Sequence, residues 1–328
     1  MKNICMPGPV RPAGMALIAL VAFLVSTGYQ VLSPAEELPK TSVQLGERLF
    51  KDPILSGDST LSCASCHKPE LAFADNQAFS MGTGGVPTLR NSPSVTYSAN
   101  RLHFFWDGRA KSLEEQAAGP ITNPHEMNLS MREAVVRVQR DPFYRQAFRG
   151  VFGAAPDSMY ICRAIADFER TLTAYDSPYD RFLAGDENAL SESALRGLRL
   201  FFKENTCANE PCHAGPDFSS DSLVSLGIHS PADPGLFSRT GKPEDRGRFK
   251  TPPLRNVAVT APYMHDGSQR TLREVVVFYN DMDNFPIESN VHHLLKAQRT
   301  RPLDEGEIAD MVEFMKALTD SRYLDQVK

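Results

Sequence analysis

The sequence predicts a mainly α-helical protein with long loops, built as two related halves. Three observations carry this. Long stretches lack the two-residue alternation of strands and instead repeat apolar residues three and four apart. Loops rich in Gly and Pro occupy 81–93, 207–220 and 230–253. A short pattern also occurs twice: "GERLF" at Gly46–Phe50 and "GLRLF" at Gly197–Phe201, each followed by a loop with two cysteines and a histidine.

The chain begins with Lys2 and Arg11 ahead of the apolar run Met15–Tyr29, and no charge follows until Glu36. That order reads as an export signal or a single N-terminal anchor over residues 1–35, which puts the body in the periplasm. No later segment is long and apolar enough to span a membrane. At 328 residues the chain has room for two domains. The repeat divides it into 36–185 and 186–328. Each copy reads as the end of an amphipathic helix, with Leu195, Leu198 and Phe202 at helical spacing in the second. Further helices are expected over Met131–Phe148, Met159–Tyr175 and Glu305–Thr319, the last with Ile308, Met311, Phe314, Met315 and Leu318 on one face. A formal charge of −5 argues against broad nucleic-acid binding.

The chemistry lies in the cysteines. "CASCH", Cys63–His67, has the C-x-x-C-H form in which both thiols bond to haem vinyl groups and the adjacent His ligates iron. "CANEPCH", Cys207–His213, has two additional residues between Cys207 and Cys212 but keeps His213 directly after the second Cys. If the extra residues loop out, both thiols still reach a haem. A zinc site of four thiolates from Cys63, Cys66, Cys207 and Cys212, or a disulfide within each pair, are the competing readings. Neither gives a reason for His67 and His213. Cys162, in an apolar helical stretch, reads as a buried thiol. The residues therefore favour two covalently bound c-type haems.

From about Leu45 to Thr319 the chain resembles the bacterial di-haem cytochrome c peroxidase superfamily, which includes MauG. The resemblance rests on "RNSPSV" (90–95), "FFWDGRAKSLEEQAAGPITNPHEM" (104–127), "TPPLRNVAVTAPYMHDGSQRTLREVVVFYN" (251–280) and the C-terminal helix. It implies two cytochrome c-like haem domains, the first haem reacting with hydrogen peroxide and the second handling electrons. His67 and His213 are then the proximal ligands, and Trp106 lies between the haems. Gln116, Pro120 and Glu126 are implied to line the peroxide pocket. A calcium ion between the domains is implied, held by Asn91 and the backbone oxygens of Thr260 and Pro262. Arg255 is expected to pair with a haem propionate. Taken singly, Trp106 reads equally as core, Glu126 as a cap for a helix starting near Leu129, and Gln116 as a surface residue.

Two departures select a branch. Peroxidases of this family carry a Met ligand sixteen residues after the Tyr of "APY", and counting from Tyr263 reaches Tyr279. A phenolate favours ferric and higher iron states over reduction. Met264 and Met282 are the nearby alternatives, out of register. Second, no His lies between His67 and His103, so the loop "FSMGTGGVP" (79–87) offers no displaceable distal His; Met81 is its only other candidate ligand. The first haem is expected to be open to peroxide. Both features resemble the MauG-like branch, in which two haems share oxidising equivalents as a bis-ferryl state and oxidise a residue of a partner protein. Within it the expectation leans to the methanobactin-associated MbnH type, acting on a tryptophan of an MbnP-like copper-binding partner. The competing functions are a peroxidase drawing electrons from a small redox protein, a non-enzymatic electron carrier, and a zinc protein.

Overall fold

The structure is a computed structural model that describes residues 37–203, 207–208, 212–228, 232–281 and 301–327. The expected export segment and Met282 lie outside the described residues. Residues 39–328 form one compact unit.

The first half contains α1 (Ser42–Lys51), the single turn α2 (Cys63–Cys66), α3 (Leu113–Thr122), α4 (Met131–Arg140), α5 (Pro142–Phe152) and α6 (Ser158–Glu169). The second contains α7 (Pro178–Leu183), α8 (Glu192–Phe202), a short hairpin-like pair β1 (Leu223–Ser225) and β2 (Arg248–Lys250), the turn α9 (Phe237–Thr240), α10 (Leu272–Asn280) and α11 (Glu305–Lys316). The β-pair is antiparallel, with Val224 opposite Phe249. Although α7 precedes residue 185, it packs on the C-terminal helices, where the Tyr179 N–H donates to the Ala317 carbonyl. Among the described residues no helix is long and apolar enough to cross a membrane.

The helix expected over Met131–Phe148 is two helices. Asp141 ends α4 by donating its N–H to the Arg137 carbonyl, and its side chain then caps α5 by accepting from the Phe143 and Tyr144 N–H groups. Pro142 at the first position of α5 has no N–H to continue α4. Helix α6 stops at Glu169 rather than Tyr175, and α11 at Lys316 rather than Thr319.

The sequence repeat has a packing cause. In "GERLF", Gly46 lets α1 touch α6: a Cβ there would lie 1.8 Å from the Ala164 carbonyl oxygen. In "GLRLF", Gly197 does the same for α8 and α11, with a Cβ 1.9 Å from the Asp310 carbonyl oxygen. The crossing carbonyls fill the space that any side chain would need. The Phe of each copy, Phe50 and Phe201, is buried beneath its crossing. Phe50 meets Phe73 and Phe168 at 6.0 and 5.2 Å, and Phe201 meets Phe218 and Phe314 at 5.7 and 5.2 Å.

Candidate functional site: paired Cys-His centres and a cavity-wall tryptophan

Each aromatic cluster backs a Cys-His loop. In the first, Ser62 caps the turn α2, so Cys63 and Cys66 sit on one helical turn and His67 closes it, its N–H donating to the Cys63 carbonyl at 2.9 Å. In the second, the His213 N–H donates to the Cys207 carbonyl at 3.0 Å. The longer motif thus closes with the same terminal hydrogen bond as the shorter one. Residues 209–211, where the extra length falls, lie outside the described residues. His67 Nδ1 is 3.2 Å from the Phe73 carbonyl oxygen, and His213 Nδ1 is 2.9 Å from that of Phe218. Such a bond fixes the ring and leaves Nε2 as the ligating atom. Burial holds both imidazoles below their ordinary pKa, so they are neutral and their lone pairs are available. Phe73 and Phe218 adopt φ of 56° and 55°, a left-handed turn that aims each carbonyl back at its histidine.

Cys207, Cys212, His213 and Tyr279 line one cavity, which Trp106 and Lys250 also face. No disulfide joins either cysteine pair. Among the described residues no three His, Cys, Asp or Glu side chains converge as a metal site, so the four thiols do not make one zinc centre. Cys162 is the buried thiol that its sequence setting suggested.

Trp106 is held by main-chain bonds from elsewhere in the chain. Its Nε1–H donates to the Asn91 carbonyl at 2.8 Å, and its own carbonyl accepts from the Lys250 N–H at 2.6 Å. Its ring stands 6.4 Å from that of His265, which stacks on Phe249 at 3.6 Å. The tryptophan is therefore a fixed part of the cavity wall.

The acid–base candidates belong to the first half of the chain. Glu126 follows a reversal in which its N–H donates to the Asn123 carbonyl, while its carbonyl accepts from the N–H and Oγ1 of Thr83. It does not cap the next helix, whose cap is Ser130. Burial raises its pKa, offset by a 2.6 Å bond from Asn123 Nδ2. Its charge is felt by both Cys63 and Cys66, which places it beside the first motif. Gln116, on α3, has a buried Oε1 with no hydrogen-bond partner, an acceptor oriented toward something other than protein. Pro120 lies one turn further along the same helix.

Helices α3 and α10 are equivalents. Ser112 caps α3 and Thr271 caps α10, each accepting from a Glu N–H three residues on, and each such Glu reaches back to the N–H preceding the cap. Pro120 is eight residues past its cap (120 − 112) and Tyr279 eight past its own (279 − 271). Open wall and phenol thus stand at the same place in the two halves. Desolvation, followed by the Cys212 and Cys207 thiols, pushes the Tyr279 phenol upward, so ionising it calls for a cation beside it.

Asn91, Thr260 and Pro262 lie on the wall of the same cavity, as does Met264. Asn91 Nδ2 donates to the Gln77 carbonyl at 3.0 Å, leaving its Oδ1 as the oxygen donor a calcium ion would use. Arg255 also borders the cavity, but its guanidinium forms two bonds to Asp180, at 2.8 and 2.9 Å, and one to the Pro216 carbonyl. Two residues carry no distinguishing signal in sequence. Lys250 lines the cavity, and desolvation pulls its amine to about 8; an anionic group such as a haem carboxylate would favour its charged form. Glu169 is buried, with an unpartnered Oε2 and a pKa pushed up to about 8 by desolvation.

Paired thiols, a neutral histidine with a fixed tautomer and an aromatic backing fit a covalently held haem at each centre, and at the second the cavity and Lys250 add to the fit. The fold and its sites define a di-haem c-type oxidoreductase. Residues 40–188 match the di-haem cytochrome c peroxidase family. The chain is 37% identical over 298 residues to the methylamine utilization protein MauG of Methylorubrum extorquens, covering 87% of this chain and 80% of that one. It is 39% identical over 284 residues to the cytochrome c551 peroxidase of Nitrosomonas europaea, covering 84% and 79%. Among solved structures it is similar to a MauG-like protein associated with microbial copper homeostasis, with a TM-score of 0.76 and 32% identity over 89% of this chain and 95% of that one. The chain belongs to the di-haem cytochrome c peroxidase and MauG family, and is a peroxide-using di-haem enzyme.

Proposed function

We propose that this enzyme uses hydrogen peroxide to oxidise a residue, a tryptophan, of a separate partner protein in the periplasm. The observation that carries the reading is Tyr279, which faces the same cavity as His213 at the register where a methionine would mark an electron-accepting site. When bound, the two haems supply the iron that takes both oxidising equivalents from peroxide and holds them. Cys63, Cys66 and His67 hold the first; Cys207, Cys212, His213 and Tyr279 hold the second, with Lys250 compensating a carboxylate. Glu126, whose pKa burial raises, is placed to move a proton between the peroxide oxygens, and Gln116 to orient them. Pro120, lacking a donor atom, keeps the first centre open. Trp106 joins the two centres electronically. A calcium ion on Asn91, Thr260 and Pro262 would brace the wall beneath Trp106. The similarity to a copper-homeostasis protein favours a copper-binding, MbnP-like partner.

The similarity to a cytochrome c551 peroxidase, 39% identical, supports a second reading, in which a small redox protein donates the electrons. Treating the purified enzyme with peroxide beside a copper-binding partner protein, then weighing the partner by mass spectrometry, separates the two. Oxygen added to a partner tryptophan is expected. Rapid turnover of reduced cytochrome with an unmodified partner would replace this reading with the second.

A further inference from the structure

We propose that Tyr175 is the surface relay through which electrons leave the partner protein for the second haem; this rests on the reading above. Tyr175 is 48% exposed, the only tyrosine among the described residues so open to solvent. Its hydroxyl nevertheless has partners within the protein. It donates to Asp217 Oδ1 at 2.8 Å, a carboxylate that is itself only 1% exposed. Asp217 is bonded through the chain to Phe218, whose carbonyl meets His213 Nδ1 at 2.9 Å. Two hydrogen bonds and a few covalent bonds thus connect an exposed phenol to an iron ligand.

The surroundings specify how it would be oxidised. The Arg255 guanidinium lies 4.6 Å from the Tyr175 ring centre. A positive charge at that distance disfavours a radical cation, so the electron leaves only with the proton. In the step, the Tyr175 O–H bond breaks. The electron passes inward, where it would cancel one of the two oxidising equivalents that peroxide supplies, and the proton moves to Asp217 Oδ1. A neutral phenoxyl remains at the surface. It takes one electron from an aromatic residue of the docked partner, Asp217 returns the proton, and the O–H bond re-forms. Arg101 Nη2, 2.8 Å from Asp217 Oδ2, keeps the carboxylate in place throughout. The path needs no approach of the partner to buried iron.

The test uses the holoenzyme with peroxide alone, so that the radical has no partner to consume it. Electron paramagnetic resonance on protein with ring-deuterated tyrosine identifies a tyrosyl species by its altered hyperfine pattern. Trapping with 5,5-dimethylpyrroline N-oxide and peptide mapping then locates it. The adduct is expected on Tyr175, with loss of signal and adduct in Tyr175→Phe. Asp217→Asn, which removes the proton acceptor, should lower the yield. If that variant fails to fold because Arg101 loses the carboxylate it pairs with, the Tyr175→Phe comparison still decides. A radical that persists in Tyr175→Phe, or adducts confined to other residues, overturns the inference while the function stands. If wild-type protein shows no haem-absorption change with peroxide, the function reading fails and this inference falls with it.

Discussion

Replacing Gly197 by Ala should destabilise the second haem half although alanine is the better helix former. Ala in a helix interior gains about 0.5–1 kcal/mol over Gly. Here the new Cβ would sit 1.9 Å from the Asp310 carbonyl oxygen, 2.6 Å from its carbon and 2.8 Å from Phe314 Cβ. Two of these are backbone atoms and cannot rotate away. Helices α8 and α11 must separate, and Arg196, bonded twice to Asp310 at 2.7 Å, resists that. Overpacking of this kind costs roughly 1–3 kcal/mol, so the sign of the helix-propensity gain is reversed. At about 2–4 °C per kcal/mol, the melting temperature of that half should drop by several degrees. Gly150 supplies the control: it is inside α5 with nothing within 4 Å of where a methyl group would sit, and Gly150→Ala should raise stability. Thermal melts followed by circular dichroism at about 222 nm, where helix absorbs, and by the haem absorption, read both variants. Gly197→Ala melting at or above the wild type would refute the reasoning.

The remaining predictions concern the centres themselves. Tyr279→Phe should convert the second ferric haem to an open, high-spin form; an unchanged electron paramagnetic resonance spectrum would place its ligand elsewhere. Glu126→Gln should slow formation of the peroxide-oxidised state by about 10²–10⁴-fold, whereas Trp106→Phe should spare peroxide binding and slow exchange between haems, which stopped-flow spectra resolve. Glu169 ionises near 4.5 when unfolded but near 8 when folded. A raised acid pKa means its contribution is intact below pH 4.5 and lost as pH rises toward 8. Glu169→Gln should therefore flatten that decline by about 1–3 kcal/mol at about pH 8, measured as urea midpoints at about pH 5 and 8.

Much of this is legible in the sequence because its physics is local. A Cys-His motif must carry its ligands at fixed spacing, and "GERLF" and "GLRLF" repeat because Gly46 and Gly197 answer the same crossing geometry. The register of Tyr279 can be counted from Tyr263. The break at Asp141 is hidden because the apolar period continues across it, and the cap signal competes with that period. The β1–β2 pair is hidden because each strand is only three residues long. Lys250, Glu169 and Asp217 leave no trace because what distinguishes each is desolvation, which distant segments impose. The equivalence of α3 and α10 is masked by differing side chains and emerges in the backbone: Phe105 and Met264 share a left-handed φ of 62° and 71° ahead of each cap.

That equivalence places Pro120 and Tyr279 at one address in two copies of a single building plan. Under the proposed reading, a reaction vessel and a reservoir differ there by one side chain, while helix, cap and proximal histidine are held in common. New chemistry in such a duplicated protein needs no new architecture. One copy can drift at its eighth helical position while the other preserves the ancestral task, and the wall they share turns that divergence into cooperation.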